Sequence, residues 1–133
     1  MECGKYKLGN RSLKRLEGVD SRVLALAELA IKYTCVDFGI AEHGGKRSVE
    51  VQRHLYLENL SNCDGITNES AHQSGLALDY YAINPDNREA TWDHKYMCQV
   101  AWAFFRAAQE LEIRIEWGGF WKSFSDSPHI EII

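Results

Sequence analysis

His72 and Asp79 lie close together in the segment Glu69-Ser70-Ala71-His72-Gln73-Ser74-Gly75-Leu76-Ala77-Leu78-Asp79, and a second imidazole follows in Asp126-Ser127-Pro128-His129. Two imidazoles and a carboxylate form the ligand set of a hydrolytic zinc site. Three protein groups hold the ion, water takes the fourth position, and a nearby carboxylate handles protons. Neither ligand type donates as much charge as a thiolate, so an ion held this way stays Lewis acidic. His72, Asp79 and His129 are therefore the candidate metal ligands, and Asp126 is the candidate general base.

Local chemistry says how these groups could be positioned. Gly75 permits a tight bend after His72. Strand alternation over 77–83 would set Ala77, Asp79 and Tyr81 on one face and Leu78, Tyr80 and Ala82 on the other. Pro128 fixes its own φ and disfavours helix at Ser127, so Asp126 sits on a stiff approach to His129. Glu131 and Glu116 are the rival bases. Two residues beyond His129 on a strand, Glu131 would share its face and could hold its ring from behind, while Glu116 is expected to be structural or to face solvent. His43, His54 and His94 have no ligand-like partners at useful spacing. Trp117 and Trp121 flank Gly118-Gly119 and read as core, with a share in a cleft wall.

The supporting elements follow from periodicity. Apolar residues recur at helical spacing from Val23 to Ile31, which predicts a helix capped by Asp20 and running to about Tyr33. Residues 35–41 read as a strand, Gly44-Gly45 as a turn, and Ser48 as the cap of a helix ending near Asn59. Residues 61–75 lack periodicity and should form the surface loop that delivers His72. A turn at 84–87 precedes a long helix capped by Thr91 or Asp93. Strands are expected at 113–117 and 129–133, joined through Gly118-Gly119 and 125–128. This is an α+β pattern with a small antiparallel sheet flanked by helices.

At 133 residues the chain is expected to be a single domain, 1–133, large enough to bury a core without metal or disulfide staples. The formal net charge of -4 argues against a nucleic-acid partner, and no basic arm or patch is evident in the sequence. Cys3, Cys35, Cys63 and Cys98 contain no C-x-x-C pair and are expected to be reduced thiols. No signal peptide and no apolar run of about 20 residues is evident, so no stable membrane insertion is expected.

With S-x-H-x6-D at Ser70 to Asp79, W-G-G at 117–119 and D-x-P-H-x-E at Asp126 to Glu131, the chain resembles the VanY-like zinc peptidases of peptidoglycan. These include D-alanyl-D-alanine carboxypeptidases and phage L-alanyl-D-glutamate endopeptidases. The resemblance covers roughly residues 37–133. It implies a hedgehog/D-Ala-D-Ala-peptidase-like fold and Zn2+ held by His72, Asp79 and His129, with Asp126 as catalytic carboxylate. It also implies Arg47 as both substrate clamp and catalytic cation, with Gln52 and Ser70 as substrate contacts. Phe120 departs from the pattern, since relatives often carry an acidic residue there.

The implied function is hydrolysis of the peptidoglycan stem peptide between L-alanine and D-glutamate by a monomeric phage endolysin, made in the host bacterial cytoplasm and reaching the wall through a separate pore-former. Alternatives are a D-alanyl-D-alanine carboxypeptidase or dipeptidase, and a noncatalytic zinc-containing binding module on the same scaffold.

Overall fold

The computed structural model describes residues 2–121 and 126–133. It is an α+β fold with all strand pairs antiparallel. The elements in chain order are α1 (Asn10–Arg15), α2 (Ser21–Tyr33), β1 (Phe38–Ile40), α3 (Val49–Leu57), β2 (Ala77–Ile83), β3 (Ala90–Thr91), α4 (His94–Leu111), β4 (Ile115–Trp117), a 3-10 turn (Gly118–Phe120) and β5 (His129–Ile132). The sheet runs β1-β2-β5-β4, with β3 also paired to β2.

One face of the sheet is core. Leu78, Tyr80, Ala82 and Ile130 are buried there under α2 and α4, which contribute Leu26, Ala27, Val100 and Phe104. Both helices begin as the sequence predicts: the Asp20 carboxylate accepts from Arg22 N and the Asp93 carboxylate from Lys95 N. Tyr80, although fully buried, satisfies its hydroxyl by donating to the Met97 carbonyl at 2.8 Å. The opposite face of the same strands carries polar side chains, so strand alternation separates packing from chemistry.

Several boundaries differ from expectation for local reasons. The strand expected at 35–41 is confined to Phe38–Ile40 because the Thr34 hydroxyl bonds both the carbonyl and the N–H of Val36, turning the chain before the ladder begins. Ile113 closes α4 rather than opening β4: Glu112 takes a left-handed φ of 56° and Ile113 N–H returns to the Ala108 carbonyl. α1 and β3, at six and two residues, are too short to leave a periodic signature. Of the connection expected at 125–128, Ser125 lies outside the described residues, as does Met1 at the amino terminus.

The cysteine expectation is corrected in part. Cys3 and Cys35 form a disulfide, while Cys63 and Cys98 are free thiols. The link fastens the amino-terminal segment to the chain just beyond α2, where Gly4 N–H also donates to the Thr34 carbonyl at 2.9 Å. Among the described residues no helix is long and apolar enough to cross a membrane.

Candidate active site

The register of β2 and β5 brings the site together. Asp79 lies directly opposite His129, and Ala77 opposite Glu131. Asp79, His129 and Glu131 therefore emerge on the face away from the core. His72 arrives from the turn before β2, where Gly75 has a φ of +75° and a Cβ would press on the backbone of Val19 and Asp20. On its other side Asp79 is fixed by an extension of β1: Ala41 N–H donates to the Asp79 carbonyl at 2.9 Å, and Asp79 N–H to the Gly44 carbonyl at 2.7 Å.

Asp79 Oδ1 is 3.2 Å from His72 Nε2 and 3.2 Å from His129 Nδ1. Donors on one tetrahedral zinc, at bond lengths of ~2.0–2.1 Å, stand about 3.3 Å apart. One ligand atom from each of these three residues lies within 4.8 Å of the others. The donor chemistry and spacing thus fit a divalent ion such as zinc. Both rings are also oriented for it: His72 Nδ1 is 3.0 Å from the Gly45 carbonyl and His129 Nε2 is 2.9 Å from Glu131 Oε1. Each outer nitrogen then carries the proton and leaves the inner one free to ligate.

Electrostatics agree with this arrangement. Burial would raise the Asp79 carboxyl, but hydrogen bonds from His129 and His72 hold it well below the usual carboxylate range. Burial would lower His129, yet its bonds to Asp79 and Glu131 outweigh that and raise it to about 9. Glu131 is lowered in turn by its bond to His129.

Asp126 lines the same cleft, of about 370 Å³, together with Arg47, Ser70 and Trp121. Its carboxyl is pushed upward, first by burial and then by the Asp79 charge, while His129, His72 and Arg47 pull it back. Asp126 N–H donates to the Gly118 carbonyl at 2.9 Å, and its own carbonyl accepts from His129 N–H at 3.0 Å. A Cβ at Gly118 would strike the Asp126 carbonyl, so the first glycine of W-G-G is what lets this turn close. Trp117 completes the clasp by donating Nε1–H to the Ser127 carbonyl at 2.7 Å. Trp117 is a buried core residue, as expected, and does not line the cleft, whereas Trp121 does.

Arg47 reaches the site from the turn before α3. Its Nη2 donates to Asp79 Oδ2 and Nη1 to Gln52 Oε1, both at 3.0 Å, and Nε donates to the His43 carbonyl at 2.7 Å. Gln52, expected as a substrate contact, is fully buried behind Arg47 and does not line the cleft. Its amide nitrogen is committed to Ser61 Oγ and the Cys63 carbonyl at 2.7 and 2.8 Å, so it braces both Arg47 and the cleft wall. Ser70 lines the cleft, with its hydroxyl accepting from His72 N–H at 3.2 Å. Glu116 lies opposite Glu131 on β4, exposed and outside the cleft. His43, His54 and His94 take no part in the cluster.

The loop at 61–75 has its own organiser. Asp64 Oδ1 accepts the backbone N–H groups of Ile66, Thr67 and Asn68 at 2.8–2.9 Å, which holds the Asp64 carboxyl well below its ordinary range.

Three likenesses bear on this geometry. The profile of a family described as phage L-alanyl-D-glutamate peptidase matches residues 4–133, further toward the amino terminus than the motifs alone suggest. The peptidoglycan L-alanyl-D-glutamate endopeptidase CwlK of Bacillus subtilis is 33% identical over 106 residues, covering 74% of this chain and 62% of CwlK, less than two thirds of its length. The crystal structure of the L-Ala D-Glu endopeptidase ChiX of Serratia marcescens superposes with a TM-score of 0.83 at 34% identity, over 97% of this chain and 91% of that one.

Proposed function

The chain belongs to the phage L-alanyl-D-glutamate peptidase family, and we propose that it is a zinc endopeptidase cleaving the L-alanyl-D-glutamate bond in the peptidoglycan stem. The observation that carries this reading is the convergence of His72, Asp79 and His129 at zinc-ligand spacing in a cleft that also contains Asp126. The names of both relatives support the choice of bond.

Zinc, when bound, supplies a Lewis acid that polarises the scissile carbonyl and acidifies water. The chain's own residues do the rest. Asp126, not a member of the ligand cluster, accepts the proton of the attacking water on its carboxylate and passes it to the departing amine. Burial raises its carboxyl, which makes the carboxylate a stronger base than a solvated one. Arg47 has five N–H donors, three of them engaged among the described residues, which leaves two for a substrate carbonyl or carboxylate. Glu131 keeps His129 in the ligating tautomer. Gln52 and Ser70 act by holding Arg47 and the His72 turn.

In the cell we assign it the role of an endolysin, made in the host cytoplasm and acting on the wall once a separate pore-former gives access, a role supported by the family's description. Purified sacculi should release fragments with a new amino-terminal D-glutamyl residue, and chelation should stop the release. Free D-alanine as the product would identify a carboxypeptidase instead, and binding without cleavage would identify a noncatalytic module. Expression with and without a pore-former in a bacterial host tests the lytic role; lysis should require both.

A further inference from the structure

Behind the turn that carries Arg47 lies a second cavity of about 460 Å³, lined by four cations, Arg11, Lys14 and Arg15 of α1 and Lys46, and by two acids, Glu17 and Glu42. Arg11, Lys14 and Lys46 are exposed, and among the described residues none has a carboxylate within salt-bridge distance. Charge along the chain is correspondingly uneven. Residues 1–15 hold five Lys or Arg and one acid, whereas residues 16–133 hold ten and eighteen. Folding brings Lys46 to the basic residues of α1.

The two cavities share a wall. Within the 42–47 turn, Arg47 faces the catalytic cleft while His43 and Lys46 face the basic cavity. Among its described residues the cleft carries four carboxylates, on Glu69, Asp79, Asp126 and Glu131, and one permanent cation, Arg47. Peptidoglycan is a polymer with free carboxylates at every stem, so a carboxylate-rich cleft on a protein of net charge -4 approaches it against like charge.

We infer that the Arg11–Lys14–Lys46 cavity binds carboxylates of the peptidoglycan strand beyond the scissile peptide, holding the polymer beside the cleft. The inference rests on the substrate proposed above. The shared wall favours the strand being cleaved over a separate phosphodiester polymer of the wall. Because these cations are solvated, their contribution is long-ranged, additive over repeats and weakened by salt.

The test compares wild type with the Arg11→Glu/Lys14→Glu/Lys46→Glu variant in two assays. One is cosedimentation with purified sacculi across a range of NaCl, before and after stripping phosphodiester-linked polymers; the other is hydrolysis of a short soluble stem peptide. The expected result is binding about tenfold weaker at low salt, a difference that closes as salt rises and persists on stripped sacculi, with unchanged kcat/KM on the peptide. Equal binding by the two proteins overturns the inference, and so does a loss confined to unstripped walls. If the glutamate variant misfolds, the corresponding glutamine variant repeats the comparison at half the charge change and should show a smaller loss of the same kind. A wild-type protein that binds sacculi in this charge-dependent way but leaves the peptide intact would count against the proposed activity and in favour of the cavity.

Discussion

Asp79 divides its carboxylate between two tasks: Oδ2 accepts from Arg47 Nη2 at 3.0 Å, and Oδ1 stands 3.2 Å from a nitrogen of each histidine. Arg47 thus sets the direction in which Asp79 would present Oδ1 to a metal ion. Lysine at this position keeps the charge but cannot reach Asp79, Gln52 and the His43 carbonyl together. Arg47→Lys should weaken zinc binding about 10- to 100-fold, the usual effect of losing a group that orients a ligand, and should lower kcat/KM as well. Metal competition with a chromophoric chelator measures the first. Unchanged affinity would confine Arg47 to the substrate.

Asp126 should separate from the ligands in the opposite sense. It sits in the cleft but outside the ligand cluster, so Asp126→Ala should retain about one zinc per chain and lose roughly 10²–10⁴-fold in kcat. Metal content and fragment release from sacculi, measured on the same preparation, decide this. A variant that loses its zinc makes Asp126 a ligand, and one that cleaves normally removes it from the chemistry.

Metal uptake should be proton-coupled. In the metal-free protein the hydrogen bonds from Asp79 and Glu131 raise His129 to about 9, so its ring holds a proton throughout the neutral range. Zinc requires Nδ1 unprotonated, and binding near neutral pH should therefore release about one proton. Apparent affinity should climb with pH and level off above about 9. The same linkage gives the metal-free fold a stabilisation that is complete below the unfolded value of ~6.5 and lost as pH rises through about 9. Calorimetry in buffers of different ionisation enthalpy counts the protons. Zinc binding that releases none near neutrality would place His129 neutral beforehand.

The sequence announced the parts of this site that sit on one strand or one turn. Alternation in 77–83 placed Asp79 opposite the core, and the same rule placed Glu131 on the His129 face, where its carboxylate meets the ring. It could not show contacts made across the chain. The family resemblance implies Gln52 as a substrate contact, but its amide is held by Ser61 and Cys63, residues of a loop with no periodic signal. The Gly45 carbonyl that orients His72 is a backbone group and leaves no trace in residue type. The support beneath that turn was hidden for a third reason: α1, whose Ser12 hydroxyl accepts from Ile40 N–H and whose Arg15 donates to the Ile40 carbonyl, is too short to register as amphipathic.

That support depends on how firmly the amino-terminal segment is held, which makes the Cys3–Cys35 link the last point to test. The link joins residues 32 apart, and closing a loop of that length removes enough unfolded-state entropy to contribute about 3–4 kcal/mol. Cys3→Ala should lower the stability of the fold by roughly that amount in urea titrations. Reductant should bring the wild type down to the same level while leaving the variant unmoved. The ligand cluster is carried by β2, β5 and the His72 turn rather than by the linked segment, so zinc content of the variant should be unchanged below its unfolding transition. If reductant leaves the wild type as stable as before, the link does not form in solution. Residues 2–9 would then be fastened by the Gly4–Thr34 hydrogen bond and by Tyr6 and Leu8 against the core.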